Sequence, residues 1–137
     1  MTAVRELADR DPVRWRAATH HPFLDGVRAG TLPAAVDYHA HLRRMAGEPH
    51  PVALAAMWAV EAAYLEAWRT ALPGTSVYRP FVEHWTDGSF VAFVDRLEAA
   101  ADLALGGASA AEVAAAADAV VRTAVHEAAF WAMTWSG

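Results

Sequence analysis

The stretch SAAEVAAAADAVVRTAVHEAAFWAMT, residues 109–134, indicates a long amphipathic helix and thereby the fold class. It opens with Ser109 and Glu112, the spacing of a capping box, in which each side chain accepts a hydrogen bond from the other residue's backbone N–H. Apolar residues then recur three, four or seven positions apart, as on the buried face of a helix; they are Val113, Ala117, Val120, Ala124 and Trp131. No segment of the chain alternates as a strand does, so we predict an all-α helical bundle.

The rest of the chain divides into further helical stretches at prolines and glycines. With 137 residues, it fits a single domain over residues 1–137. The predicted elements are a helix over Ala3–Ala18 that begins or kinks at Pro12, one capped by Thr31 and running through Pro33 to Met45, one over Val52–Leu72 that Pro73 and Gly74 stop, a short element over Tyr78–Trp85, and one capped by Ser89 and running to Leu105.

Composition excludes several function classes. The chain has no cysteine, which rules out disulfides, thiolate metal sites and a catalytic thiol in this chain. Its net charge of −5 argues against non-specific nucleic-acid binding. No apolar run is long enough to span a membrane and no secretory leader is recognisable, so a cytoplasmic location is expected. No Glu-x-x-His pair is present, and we expect neither a metal nor a cofactor.

Two carboxylates interrupt apolar stripes. Glu127 lies seven residues after Val120 and four before Trp131, within the apolar face of the last helix. Glu61 lies in the same way among the apolar residues around Trp58. A buried carboxylate must find a partner or stay protonated, and either outcome shifts its pKa as a general acid or base requires. The structural alternative is a glutamate that only fixes helix register through a hydrogen bond to Tyr, Trp or Arg.

The histidines are weaker candidates. His39 and His41 are two residues apart and do not share a helix face, so both are predicted to lie on the surface. His126 falls on the polar face of the last helix.

Two stretches resemble the TenA family of thiaminase II-type proteins, which implies a heme-oxygenase-like all-α fold. The first is HPFLDGVRAGTLP, residues 21–33, similar to the family's opening pattern. The second is the C-terminal half, from Tyr78 through Trp85 and Ser89-Phe90 to EAAFWAM, residues 127–133. A weaker match surrounds Trp58.

The resemblance implies roles for particular residues. Glu127 matches the glutamate that acts as acid and base in the family. Trp85 stands where the family has an active-site tyrosine, and Ala55 and Ala56 stand where its nucleophilic cysteine is expected. The aminopyrimidine-binding Gln-Asp pair is replaced near Leu42. Because alanine cannot act as a nucleophile, cysteine-dependent hydrolysis is not expected. We assign the catalytic role to Glu127 and substrate binding to Glu61, Trp85, Trp131, Tyr78 and Trp58.

The chain also looks shortened. Family members are usually longer, and the helices normally between the second helix and that of Trp58 are absent here. We therefore expect the apolar faces of Trp58, Trp68 and the Val113 stripe to need a partner surface. That partner is either a larger TenA-like chain or a second copy.

Several functions follow as alternatives. The first is a small subunit of a heteromeric enzyme that acts on an amine-bearing metabolite by acid/base chemistry. The absence of Lys, Asn and Ile suggests a GC-rich bacterial gene. A remodelled TenA-like protein in such a bacterium suggests a role in natural-product biosynthesis. The second is a non-catalytic pseudoenzyme that binds a small molecule or stabilises a partner. The others are an aminopyrimidine hydrolase of thiamine salvage and a metal-dependent oxygenase on the same fold.

Overall fold

The computed structural model describes residues 2–19, 33–70 and 79–135, and these form seven helices and no strand. The predicted all-α class is therefore confirmed. None of the described helices combines the length and the apolarity that crossing a bilayer requires. In chain order the helices are α1 (Ala3–Asp9), α2 (Pro12–Thr19), α3 (Pro33–Ala46), α4 (His50–Arg69), α5 (Arg79–Trp85), α6 (Gly88–Gly106) and α7 (Ala110–Trp135).

Prolines and polar caps place the helix starts. Pro12 begins α2, where its missing N–H costs nothing, and the Asp11 carboxylate accepts a hydrogen bond from the Arg14 N–H at 3.2 Å. The predicted first helix is therefore two helices that meet at this proline. Pro51 lies inside the first turn of α4, so this helix starts at His50, two residues before the predicted Val52. The predicted cap Thr31 and the predicted stop at Pro73 and Gly74 lie outside the described residues.

Of the two caps predicted later in the chain, the one at Ser109 is confirmed and the one at Ser89 is wrong. Ser109 and Glu112 form the predicted box, with hydrogen bonds of 3.0 and 3.1 Å between side chain and backbone. Ser89, however, is not the cap of α6. Asp87 accepts the Phe90 N–H at 2.8 Å, and the Ser89 hydroxyl donates to the same carboxylate at 2.7 Å. The carboxylate two residues earlier therefore takes the position that the sequence assigned to the serine.

Helices α4 and α7 form the centre of the bundle. Helix α7 packs against α4 and also against α1, α2 and α3, while α4 packs against α6. The buried face of α4 is rich in alanine, including Ala55, Ala59 and Ala62, each at most 1% exposed. Short side chains allow neighbouring helices to approach closely. Trp58, which is fully buried, fills the space that they leave.

The expectation that Trp58, Trp68 and the Val113 stripe need a partner surface is wrong. The Trp15 ring of α2 stacks on Trp58, with centroids 5.3 Å apart and an interplanar angle of 1°. Trp68 is 8% exposed and packs edge-on against Trp131. Val113 packs against the same core as Val120, which is 1% exposed. The chain covers these faces itself, because α2 and α7 fold back over α4.

Candidate functional site

Glu127 is buried on α7 with both carboxylate oxygens engaged. The side chain is only 2% exposed. The Tyr38 hydroxyl, from α3, donates to Oε2 at 2.5 Å, and the Trp131 indole N–H, one turn along α7, donates to Oε1 at 3.1 Å. Two donors from two helices thus fix the orientation of the carboxylate. A fixed carboxylate is expected both of a glutamate that only sets helix register and of a general acid or base.

The pKa of Glu127 lies near neutrality. Burial raises it to about 7, and the nearby Glu61 carboxylate adds to the rise, while the hydrogen bonds from Tyr38 and Trp131 work against it. Burial and the Glu127 carboxylate raise the pKa of Tyr38, which therefore stays a hydroxyl donor. Near pH 7, Glu127 exists in both protonation states, which is the condition under which one group can both give and take a proton.

Glu127 forms part of the wall of a cavity of about 520 Å³ between α3, α4, α5, α6 and α7. This size falls in the range of small-molecule sites. The lining is mostly aromatic and aliphatic and includes two acids, Glu61 and Glu127. The lining residues are Tyr38, Leu42, Val60, Glu61, Tyr64, Trp85, Phe90, Phe93, Glu127 and Phe130.

Glu61 is the second acid of the cavity and is half-buried on α4. Burial raises its pKa. Its carboxylate lines the cavity, where its oxygens can accept hydrogen bonds from a bound molecule.

The aromatic wall is held together by Tyr64. Its ring centroid lies 5.2 Å from that of Trp85 and 5.8 Å from that of Trp131. Trp85 also contacts Phe90 edge-on at 5.3 Å. These contacts connect α4, α5, α6 and α7 and give the cavity a rigid wall of ring faces and edges.

The structure brings together only some of the residues predicted to bind substrate. Glu61 and Trp85 line the cavity with Glu127. Trp131 lies behind the wall and reaches the site through its hydrogen bond to Glu127. Trp58 lies in the core against Trp15 and does not line the cavity. Tyr78 lies outside the described residues.

A polar cluster on α3 and α7 was missed by the sequence reasoning. His41, predicted to lie on the surface, is fully buried, and its Nε2 lies 2.8 Å from the Thr123 hydroxyl oxygen. His126, predicted on the polar face, stacks on His41 with centroids 4.6 Å apart and lies 5.8 Å from the Tyr38 ring. Both histidines therefore lie behind the residue that holds Glu127.

His41 is neutral at physiological pH. Burial, and then the neighbouring His126, lower its pKa to about 4. The missed signal is the spacing of Tyr38, His41, Leu42 and Met45, which places all four on one inward helix face. No group of three or more metal-ligating side chains occurs within residues 2–19, 33–70 and 79–135.

Comparison with known proteins gives two findings. A model of the TENA/THI-4/PQQC family matches residues 33–137. The solved structure of a TenA homologue from Pyrococcus furiosus superposes with a TM-score of 0.69 at 17% identity, covering 97% of this chain and 100% of that one. This likeness shows that the chain has the heme-oxygenase-like helical fold. A comparison with curated proteins gave no match.

Proposed function

The chain belongs to the TENA/THI-4/PQQC family, and from this premise we propose that its cavity binds a small amine-bearing metabolite with which Glu127 exchanges a proton. The observation that carries the proposal is a buried carboxylate of pKa about 7, held by Tyr38 and Trp131 in the wall of a cavity of about 520 Å³. A carboxylate that only fixed helix register would not need to face a cavity of ligand size.

The lining supports an amine as the recognised group. An ammonium or an aromatic amine donates hydrogen bonds, which Glu61 and Glu127 would accept. The positive charge of a protonated amine would also be attracted by these two carboxylates. The ring faces of Tyr64 and Trp85 would attract the same charge. A planar amine such as an aminopyrimidine would also stack on these rings. The apolar wall makes both charge interactions stronger than they would be in water.

Glu127 would carry out the proton transfers. In its protonated form it gives a proton to a leaving amine, and as a carboxylate it takes one from an attacking water or a carbon acid. Elimination, hydrolysis or ring closure would fit such a group. Covalent catalysis by cysteine is not available, because the chain has no cysteine and Ala55 and Ala56 are buried methyl groups in the core.

A partner chain is part of the same proposal. Phe93 lies in the cavity wall and is 36% exposed, and Phe81 on the adjoining α5 is 57% exposed. A larger TenA-like chain seated there would cover these rings and exclude water from the cavity, in a heteromeric enzyme of natural-product biosynthesis. A binding protein without catalysis is the second candidate. It is favoured by the two hydrogen bonds that hold Glu127 in place and by the lack of a cysteine nucleophile.

Glu127→Gln tests the proposal with 4-aminopyrimidine as probe. We expect the wild-type protein to bind it with quenching of tryptophan fluorescence, and the variant to lose the change of affinity around pH 7. Glu48→Gln, at an exposed site away from the cavity, is the control. Turnover by the complex with the product of a neighbouring gene, lost in Glu127→Gln, would establish the enzyme. Binding without turnover in either protein would establish the non-catalytic candidate, and failure to bind any amine would refute the proposal.

A further inference from the structure

A second cavity of about 340 Å³ lies between the C-terminal half of α3 and the N-terminal half of α4. Three of its lining residues, Leu42, Val60 and Glu61, also line the cavity of Glu127. Because these residues line both cavities, the two cavities adjoin at Glu61. No role in the proposed proton transfer calls for this second space.

The second cavity is chemically different from the first. Apart from Glu61 and His50, its lining is aliphatic and includes Met45, Leu54 and Met57. Among the described residues that line it there is no Phe, Tyr or Trp, and His50 is the one basic side chain. Methionine side chains are flexible and adapt to ligands of differing shape. Such a lining favours a saturated hydrocarbon group over a ring, a phosphate or a carboxylate.

Size and position argue for part of the same ligand as the occupant. About 340 Å³ is small for a docking protein segment, whereas it suits a short chain of carbon atoms. The two cavities adjoin at Glu61, and the second one is open to solvent at Met57, which is 51% exposed. One molecule can therefore occupy both cavities, with its free end directed towards solvent.

Resting on the proposed function, we infer that the ligand has two parts, an amine-bearing planar head beside Glu127 and an aliphatic tail in the second cavity. Glu61, at the junction, accepts a hydrogen bond from a donor group where the tail joins the head. The second cavity then sets the tail length that the protein accepts. Glu127 acts on the head, and the aliphatic cavity selects among molecules with the same head.

Benzylamine and 4-butylbenzylamine test the inference by isothermal titration calorimetry. Each methylene moved from water into an aliphatic site improves affinity up to about four-fold. Allowing for incomplete burial, we expect the butyl compound to bind wild-type protein roughly ten-fold more tightly than benzylamine. Equal affinities would overturn the inference while leaving the amine site intact. If benzylamine itself does not bind, the proposed function fails first.

Ala53→Phe and Met57→Trp place a larger side chain in the second cavity only. We expect each to abolish the gain from the butyl group while leaving the benzylamine affinity within about two-fold of wild type, because the first cavity is unchanged. Because Met57 is half-exposed, Met57→Trp provides the test if Ala53→Phe does not fold. Ala104→Phe on α6, which lines neither cavity, is the matched control and should keep the gain.

Two outcomes would contradict the assignment of the tail to this cavity. A butyl gain that persists in both variants would place the tail elsewhere. A wild-type dimer that Met57→Trp dissociates, together with no effect of tail length, would show that a second copy of the chain occupies the groove.

Discussion

Replacing Glu127 by Gln should change how the stability of the protein depends on pH. The pKa of this carboxyl is about 7 in the folded protein and 4.5 without the fold. Between these values the folded state holds a proton that the unfolded chain has lost, so the contribution of Glu127 to stability falls as pH rises through the window. The gap corresponds to about 3 kcal/mol, which is lost in full above the upper value. Gln cannot ionise and removes this loss.

The wild-type curve alone would hide the effect. The pKa of His41 is lowered from 6.5 to about 4, so in the folded state this group loses its proton earlier than in the unfolded chain. The effect of His41 on stability is therefore opposite to that of Glu127. As pH drops from about 6.5 to about 4, His41 lowers the stability of the fold. The two windows overlap and their magnitudes are similar. Only the difference between variant and wild type isolates Glu127.

Urea unfolding at a series of pH values provides that difference. From about pH 5 to pH 8.5, the free energy of unfolding of Glu127→Gln should rise by about 2.5 kcal/mol relative to wild type. At the acid end, the variant should be less stable by about 1 kcal/mol, since an amide cannot accept from both Tyr38 and Trp131 in the same geometry. Glu48→Gln, at an exposed position, controls for the loss of one negative charge.

Parallel curves for Glu127→Gln and wild type would refute the reasoning. They would mean that the carboxylate ionises in the folded protein as easily as in the unfolded chain, and the argument for acid/base chemistry would lose its basis. A relative loss of stability towards high pH would refute it more strongly, because it would show that the fold stabilises the charged form.

Four further substitutions test the fold by urea unfolding at constant pH. Thr123→Val should cost about 1–3 kcal/mol, because it leaves the buried Nε2 of His41 without a partner, and an unchanged midpoint would contradict that hydrogen bond. Trp58→Ala should cost about 3–5 kcal/mol by leaving a cavity under Trp15, whereas a loss below about 1 kcal/mol would show that the site collapses. Asp87→Ala should cost about 1 kcal/mol and Ser89→Ala less, and the reverse order would restore Ser89 as the cap.

The helices and the burial of Glu127 could be predicted because their signals are local. Proline, glycine and capping residues mark helix ends within a few residues, and Ser109 with Glu112 is the clearest case. The position of Glu127 follows from the period of a single helix. Both kinds of signal depend on residues within one or two turns of each other, so neither requires knowledge of how the helices pack.

The partners of Glu127 could not be predicted in this way. Tyr38 is 89 positions away in sequence, and only the packing of α3 on α7 brings it to the carboxylate. The spacing between His39 and His41 wrongly predicts a surface position for His41, which is buried because it shares an inward helix face with Tyr38. Trp58 was expected to need a partner chain because nothing local shows that α2 places Trp15 over it.

The position of α7 has a consequence for the order of events during synthesis. Of the seven described helices it is the last to be made, yet α1, α2, α3 and α4 all pack against it. While the ribosome is still translating residues 110–135, α4 can pack against α2, α3, α5 and α6, but the faces that α7 covers in the folded bundle stay exposed. The bundle therefore closes only after α7 has left the ribosome, and until then the faces that α7 covers can contact other chains.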